Sequence, residues 1–135
     1  MKRYDDLELM LLKDVLDSEE LSGFYQNQRG GKYIQLLEDM FSRYHGGGEA
    51  IAVSNGTSAI YCALLALGIK PGDKVITTPL TFVGTVSPIL QVGAEPIFID
   101  VDQGTWNLSP QLLSEIPPES AKAVIFVPLL GNPSG

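Results

Sequence analysis

The first apolar pattern along the chain is helical. Leu7, Leu9, Met10, Leu12, Val15 and Leu16 recur at helical spacing, which predicts a helix over residues 6–17. Ser18 to Gly31, with Ser22-Gly23 and Gln28-Arg29-Gly30-Gly31, reads as a loop. A second amphipathic helix is expected from about Lys32 to Tyr44, with Ile34, Leu37, Met40 and Phe41 on its apolar side. Gly46-Gly47-Gly48 ends it, because glycine readily takes the left-handed conformations that stop helices.

From there the pattern changes to short apolar runs alternating with helices. Strands are expected at Ala50–Val53, Lys74–Thr77, Pro96–Val101 and Ala123–Val127, and helices at Thr57–Leu67 and Phe82–Val92, the latter despite Pro88. Pro71-Gly72-Asp73 is a turn, and Gly93-Ala94 ends a helix. Ser109-Pro110 starts a short helix with serine as cap and proline at the first position. Strands regularly alternating with helices predict right-handed crossover units and a mostly parallel sheet. The strands are continuously apolar, as expected where helices cover both faces.

Composition narrows the class without naming a partner. The chain has 135 residues, 44% hydrophobic and 19% charged, which suits one globular domain with a core. A formal charge of -7 argues against a nucleic-acid or anionic-membrane surface. One cysteine, Cys62, allows no internal disulfide, and no apolar stretch approaches the roughly 20 residues of a membrane span. Together with an N-terminus rich in carboxylates, this points to a cytoplasmic setting.

Two places could carry chemistry. Ser54-Asn55-Gly56-Thr57-Ser58-Ala59 lies between an expected strand and a helix. The free amides of a helix start form an anion site, hydroxyls there add donors, and glycine lets a phosphate approach the backbone. The same residues also suit a plain capped helix start with a tight turn. They are neither a P-loop nor a dinucleotide fingerprint. Thr77-Thr78-Pro79-Leu80-Thr81-Phe82-Val83 lies at the carboxyl end of the next strand, where open parallel sheets bind ligands. Phe82 there is either core for the following helix or an aromatic platform for a flat ring. In combination, the two segments could hold both ends of a phosphorylated planar cofactor.

Other residues invite weaker readings. His45, at a helix end beside three glycines, suits favourable charge at a helix C-terminus, with no second histidine or cysteine for a metal. Cys62 reads as a packed thiol on an apolar helix face. Asp100 and Asp102 alternate on a strand and so point to opposite faces, and Asp102 with Thr105 reads as turn chemistry.

The chain resembles the DegT/DnrJ/EryC1/StrS aminotransferases. The resemblance is carried by Ala52-Val53-Ser54-Asn55-Gly56-Thr57-Ser58-Ala59, by Ala66 to Ile76, and by Thr81-Phe82-Val83. It continues through Gly93 to Asp102, Thr105-Trp106-Asn107-Leu108 and Leu130-Gly131-Asn132-Pro133, in the family's order and spacing over about residues 30–133. It implies an α/β fold: a three-layer, mostly parallel sheet of the fold type I pyridoxal-phosphate (PLP) large domain, incomplete here. Residues 1–45 would be an N-terminal helical segment and 46–135 the first part of that PLP-binding domain. It implies a homodimer that aminates a keto sugar carried on a nucleotide, using an amino acid as amino donor. By the family's pattern Gly56, Thr57 and Ser58 hold the PLP phosphate and Phe82 stacks on the pyridine ring. The loop around Tyr25 to Gly31 falls where the family approaches substrate.

The resemblance also implies what is missing. The family's ring-nitrogen aspartate and Schiff-base lysine come after the point where the chain stops, and none of Lys2, Lys13, Lys32, Lys70, Lys74 and Lys122 has that lysine's context. The lysine performs the covalent step and proton transfers, and the aspartate keeps the ring nitrogen protonated. The chain therefore reads as a truncated N-terminal portion, with no catalytic residue of its own and inactive by itself. Three alternatives stand beside the aminotransferase: a PLP-dependent sugar dehydratase of the same family, a noncatalytic remnant acting as an oligomerising α/β domain, and a generic nucleotide-binding domain.

Overall fold

The computed structural model describes residues 4–21 and 30–133. The chain divides into two compact units, Met1–Ala52 and Val53–Gly135. Most of the expected loop between the first two helices lies outside the described residues.

In the first unit, α1 spans Asp6–Ser18 and α2 spans Lys32–Tyr44, within a residue of the expected bounds. Asp5 caps α1 with its carboxylate on the Leu7 amide at 2.9 Å, and Glu8 reaches back to the Asp5 amide at 2.7 Å. This reciprocal pair satisfies two donors that no helical carbonyl can reach. Asp14 ties the helices together, accepting from the Tyr33 hydroxyl at 2.6 Å and the Lys32 ammonium at 2.9 Å. The Tyr33 hydrogen bond, then Lys32, hold the Asp14 carboxyl below its ordinary range. At the end of α2, Gly46, Gly47 and Gly48 all take positive φ.

The expected strand Ala50–Val53 is not formed. Those residues lie outside any sheet, Ile51 is 80% exposed, and the Ala52 amide donates to Glu38 Oε1 at 2.8 Å. An apolar run makes a strand only when a neighbouring strand takes its backbone groups, and none of the described strands pairs here.

In the second unit, α3 (Gly56–Ala66) leads to β1 (Lys74–Thr77), α4 (Val83–Gln91) to β2 (Glu95–Phe98), and α5 (Pro110–Ser114) to β3 (Ala123–Val124). The strands form a parallel sheet in the order β2-β1-β3. Strand alternation sends Val75 and Ile76 to opposite faces. Val75 joins Leu64, Ile69, Ile89, Val92 and Ala94 on the α3/α4 side, while Ile76 joins Ile99 and Leu108 on the side where Leu113 and Ile116 pack. Helices on both faces give the three layers expected of the sequence. Fully burying a side chain such as Val75 or Ile89 contributes about 1.5–3 kcal/mol.

Two strands are shorter than the apolar runs suggested. β2 stops at Phe98, and Val101 instead makes an antiparallel bridge to Leu108 as the chain folds back. Only Ala123–Val124 belong to β3, although Ile125 still donates to the Ile76 carbonyl at 2.8 Å. At the amino edge, Gly72 donates to the Gly93 carbonyl at 2.9 Å. Gly93 has a φ of 76°, and a Cβ there would press on Pro71 at 3.0 Å, so both the turn and the close approach require glycine.

Candidate functional site

The Ser54–Ser58 segment folds into the start of α3. Asn55 is the cap: its Oδ1 accepts from the Ser58 amide at 2.8 Å, and its Nδ2 donates to Ser54 Oγ at 3.2 Å. The Ser54 and Ser58 hydroxyls lie 3.2 Å apart. With Ser58 served by Asn55, the amides of Gly56 and Thr57 are the first-turn donors with no carbonyl one turn back in the helix. Gly56 faces open space, since a Cβ on it would meet nothing within 4 Å.

Phe82 caps α4 by position only, with no side-chain cap hydrogen bond to that helix. Its ring is 75% exposed, so it is not core for α4. Close by, the Thr81 and Thr85 hydroxyls are 2.9 Å apart.

Gly84 brings the two segments together. A Cβ built on it would lie 2.5 Å from Thr57 Oγ1 and 2.6 Å from Phe82 Cε1. The Thr57 hydroxyl and the Phe82 ring therefore occupy the same small region, beside the starts of two helices whose positive dipole ends favour an anion. The combination suits a group that is anionic at one end and flat at the other. Sequence reasoning had not singled out Gly84. Its signal was a glycine inside an apolar helix, which marks a close approach.

The weaker candidates stand apart. Cys62 is exposed, not packed as expected, because the stripe of α3 that meets the core runs through Ile60, Tyr61 and Leu64. His45 caps α2 and stacks near Phe41, with ring centroids 4.4 Å apart. Asp102 does the expected turn work: its Oδ1 accepts from Thr105 N at 2.9 Å, Gly104 N at 3.0 Å and Thr105 Oγ1 at 3.1 Å. These bonds, the Thr105 amide first, hold its carboxyl below the ordinary value. Lys122 pairs with Asp73 at 2.8 Å. Of the loop from Tyr25 to Gly31, only Gly30 and Gly31 are among the described residues. A cavity of about 520 Å³ lies between α2 and residues 47–52, and none of Gly56, Thr57, Ser58 and Phe82 lines it.

Residues 6–135 match the sequence profile of the DegT/DnrJ/EryC1/StrS aminotransferase family. The chain belongs to that family.

Its likeness to family members extends to named enzymes. The chain is 43% identical over 103 residues to GDP-perosamine synthase of Escherichia coli O157:H7, covering 76% of this chain and 28% of that protein. It is 38% identical over 126 residues to UDP-2-acetamido-2-deoxy-3-oxo-D-glucuronate aminotransferase of Pseudomonas aeruginosa, covering 90% of this chain and 34% of the other. The structure superimposes on E. coli GDP-4-keto-6-deoxy-D-mannose-3-dehydratase with bound hydrated PLP at a TM-score of 0.82 and 31% identity. That match covers 99% of this chain and 34% of the dehydratase. The chain thus spans about a third of the length of these relatives. No helix among the described residues is long and apolar enough to cross a membrane.

Proposed function

We propose that the chain supplies the phosphate-and-ring grip of a PLP-dependent aminotransferase of nucleotide-linked keto sugars. The observation that carries this reading is the meeting of Thr57 and Phe82 over Gly84, in a chain that belongs to an aminotransferase family. The residues fit the cofactor: open space beside Gly56, hydroxyls at Thr57 and Ser58, two helix starts, and a largely exposed aromatic ring. Thr57 and Ser58 would donate to the phosphate and Gly56 would admit it to the backbone, while Phe82 would cover one face of the ring. PLP, when bound, supplies the electron sink for chemistry at the amino-bearing carbon.

What these residues do is bind and orient. Phosphate held by first-turn amides and hydroxyls fixes one end of the group without a cation, and an aromatic face fixes the plane of the other. Neither takes part in covalent chemistry or moves a proton. We assign the covalent lysine and the ring-nitrogen aspartate to a portion that the longer relatives have beyond the matched third. On this reading residues 1–45 are an N-terminal helical segment and 46–135 the first part of the PLP-binding domain. The intact enzyme would be a cytoplasmic homodimer that takes its amino group from an amino acid, and this chain alone would not transaminate.

A second reading, dehydration at a sugar carbon by the same cofactor, is favoured by the likeness to the E. coli dehydratase. The phosphate-and-ring grip serves both reactions equally.

The experiment is calorimetric titration of the purified chain with PLP, with inorganic phosphate as competitor. Saturable binding is expected, weakened about tenfold or more by Thr57→Ala or Phe82→Ala, since one hydrogen bond to a charged group is worth about 1.5–3 kcal/mol. Absent binding, or binding indifferent to both substitutions, overturns the grip and favours a noncatalytic domain. Assay of a longer protein containing this sequence, with amino donor and keto sugar, separates amino transfer from dehydration by product.

A further inference from the structure

β2 and β3 flank β1 on opposite sides, and all three run parallel. The turn after β2 and the loop after β3 therefore leave the same edge of the sheet, on either side of the carboxyl end of β1. Asn107 joins them. Asn107, 1% exposed, donates through Nδ2 to the Asn132 carbonyl at 2.9 Å and accepts through Oδ1 from the Leu129 amide at 3.0 Å. Asn132 answers by donating through Nδ2 to the Thr105 carbonyl at 3.3 Å.

Both joined segments are strained beside the joint. Trp106, next to Asn107, has a φ of 61°, and Leu130, between Leu129 and Asn132, has a φ of 54°. Non-glycine residues in that region cost about 1–3 kcal/mol each and persist only where their surroundings over-determine them. Here the Asn107 and Asn132 bonds act together with the Trp106 amide, which donates to the Asp102 carbonyl at 2.8 Å.

The joint also closes around β1. Leu108, the neighbour of Asn107, packs with Ile76 and Ile99 on the face opposite α3 and α4. Thr77 and Thr78, at the end of β1, are buried. Thr77 Oγ1 donates to the Ile125 carbonyl at 3.2 Å, and Ile99 N donates to the Thr77 carbonyl at 2.9 Å. Leu80 N then bonds Thr78 Oγ1 at 3.2 Å, two residues before Phe82.

We propose that Asn107 is a positioning residue. It locks the turn after β2 to the loop after β3 across the end of β1, and so fixes the Thr77–Phe82 segment that carries the aromatic platform. The consequence for cofactor affinity rests on the PLP reading; the lock itself does not.

The test is amide hydrogen exchange on the full chain and on Asn107→Ala and Asn132→Ala. Asn107→Ala is expected to speed exchange about tenfold or more at Leu129, Ile99 and Leu80, while Gly72 and Glu95, at the opposite edge, keep their rates. Should Asn107→Ala not fold, Asn132→Ala decides. It keeps the Asn107 bond to Leu129 while losing the one to the Thr105 carbonyl, and should give the same pattern at smaller amplitude. Faster exchange at Leu129 alone, or equal acceleration at both edges, overturns the lock. PLP titration of the same variants separates the two readings. No PLP binding by the unmodified chain removes the cofactor reading and leaves the exchange pattern to judge the lock. Unchanged PLP affinity in a variant whose Leu80 and Ile99 amides have loosened overturns the positioning role.

Discussion

Thr57 and Phe82 meet over Gly84, the hydroxyl of one and the ring of the other both within 3 Å of where a Cβ on that glycine would lie. Gly84 thus brings the start of α3 beside the start of α4, and with them the two sequence motifs of the candidate site.

Gly84→Val should break that meeting. Gly84 is buried in α4, and the added branches have to displace the Phe82 ring and the Thr57 hydroxyl. Overpacking of this kind costs about 1–3 kcal/mol, partly relieved here because the exposed Phe82 ring can swing outward. PLP affinity should fall further than the melting temperature does, which titration and thermal unfolding of the same sample would compare.

Asn55→Ala removes the side-chain cap of α3. The expected loss of stability is about 1 kcal/mol, read from urea unfolding. Asn55→Asp should keep most of it, because a carboxylate can accept from the Ser58 amide and suits the positive end of the helix dipole.

Asp73 should make stability depend on acid. Its carboxyl is held below the ordinary value of 3.8, first by the Lys122 ammonium and then by the Lys70 amide. A lowered folded pKa contributes stability that is fully present above the unfolded value and is lost as pH falls through the folded one. The difference in urea midpoint between the unmodified chain and Asp73→Asn should be present at neutral pH. It should shrink once pH drops below about 4.

Ile89→Ala tests the core. Ile89 is fully buried against Leu64, Val75, Val92 and Ala94. A truncation of this kind costs about 2–5 kcal/mol, a large share of the stability of a small domain. A denaturant midpoint unchanged from that of the parent chain would contradict the packing described.

Local pattern made much of this legible. The helices end within a residue of where periodicity and glycines put them, and Ser109 caps α5 through the Leu112 amide at 3.3 Å, as its Ser-Pro pair suggested. Strands were harder, because an apolar run does not state its partner. Ala50–Val53 has the composition of a buried strand yet lies unpaired, while Pro96–Val101 is cut short where Val101 turns to meet Leu108. At the candidate site, Gly56, Thr57, Ser58 and Phe82 stand out from motif position and family resemblance. What Gly84 and Asn107 touch was not legible beyond the hint of a glycine inside an apolar helix, since Thr57 and Asn132 are distant in sequence and meet them only in the fold.

The strand order carries a consequence for synthesis. Of the three described strands, β1 comes first in the sequence and lies in the middle of the sheet, so it leaves the ribosome before β2 or β3 exists. One side of it waits for β2 and the other until residues 123–124 emerge, with Val75 and Ile76 bare in the meantime. The nascent chain passes through a stage in which the most deeply buried of the described strands has two open edges, the condition in which parallel sheets are most exposed to wrong partners.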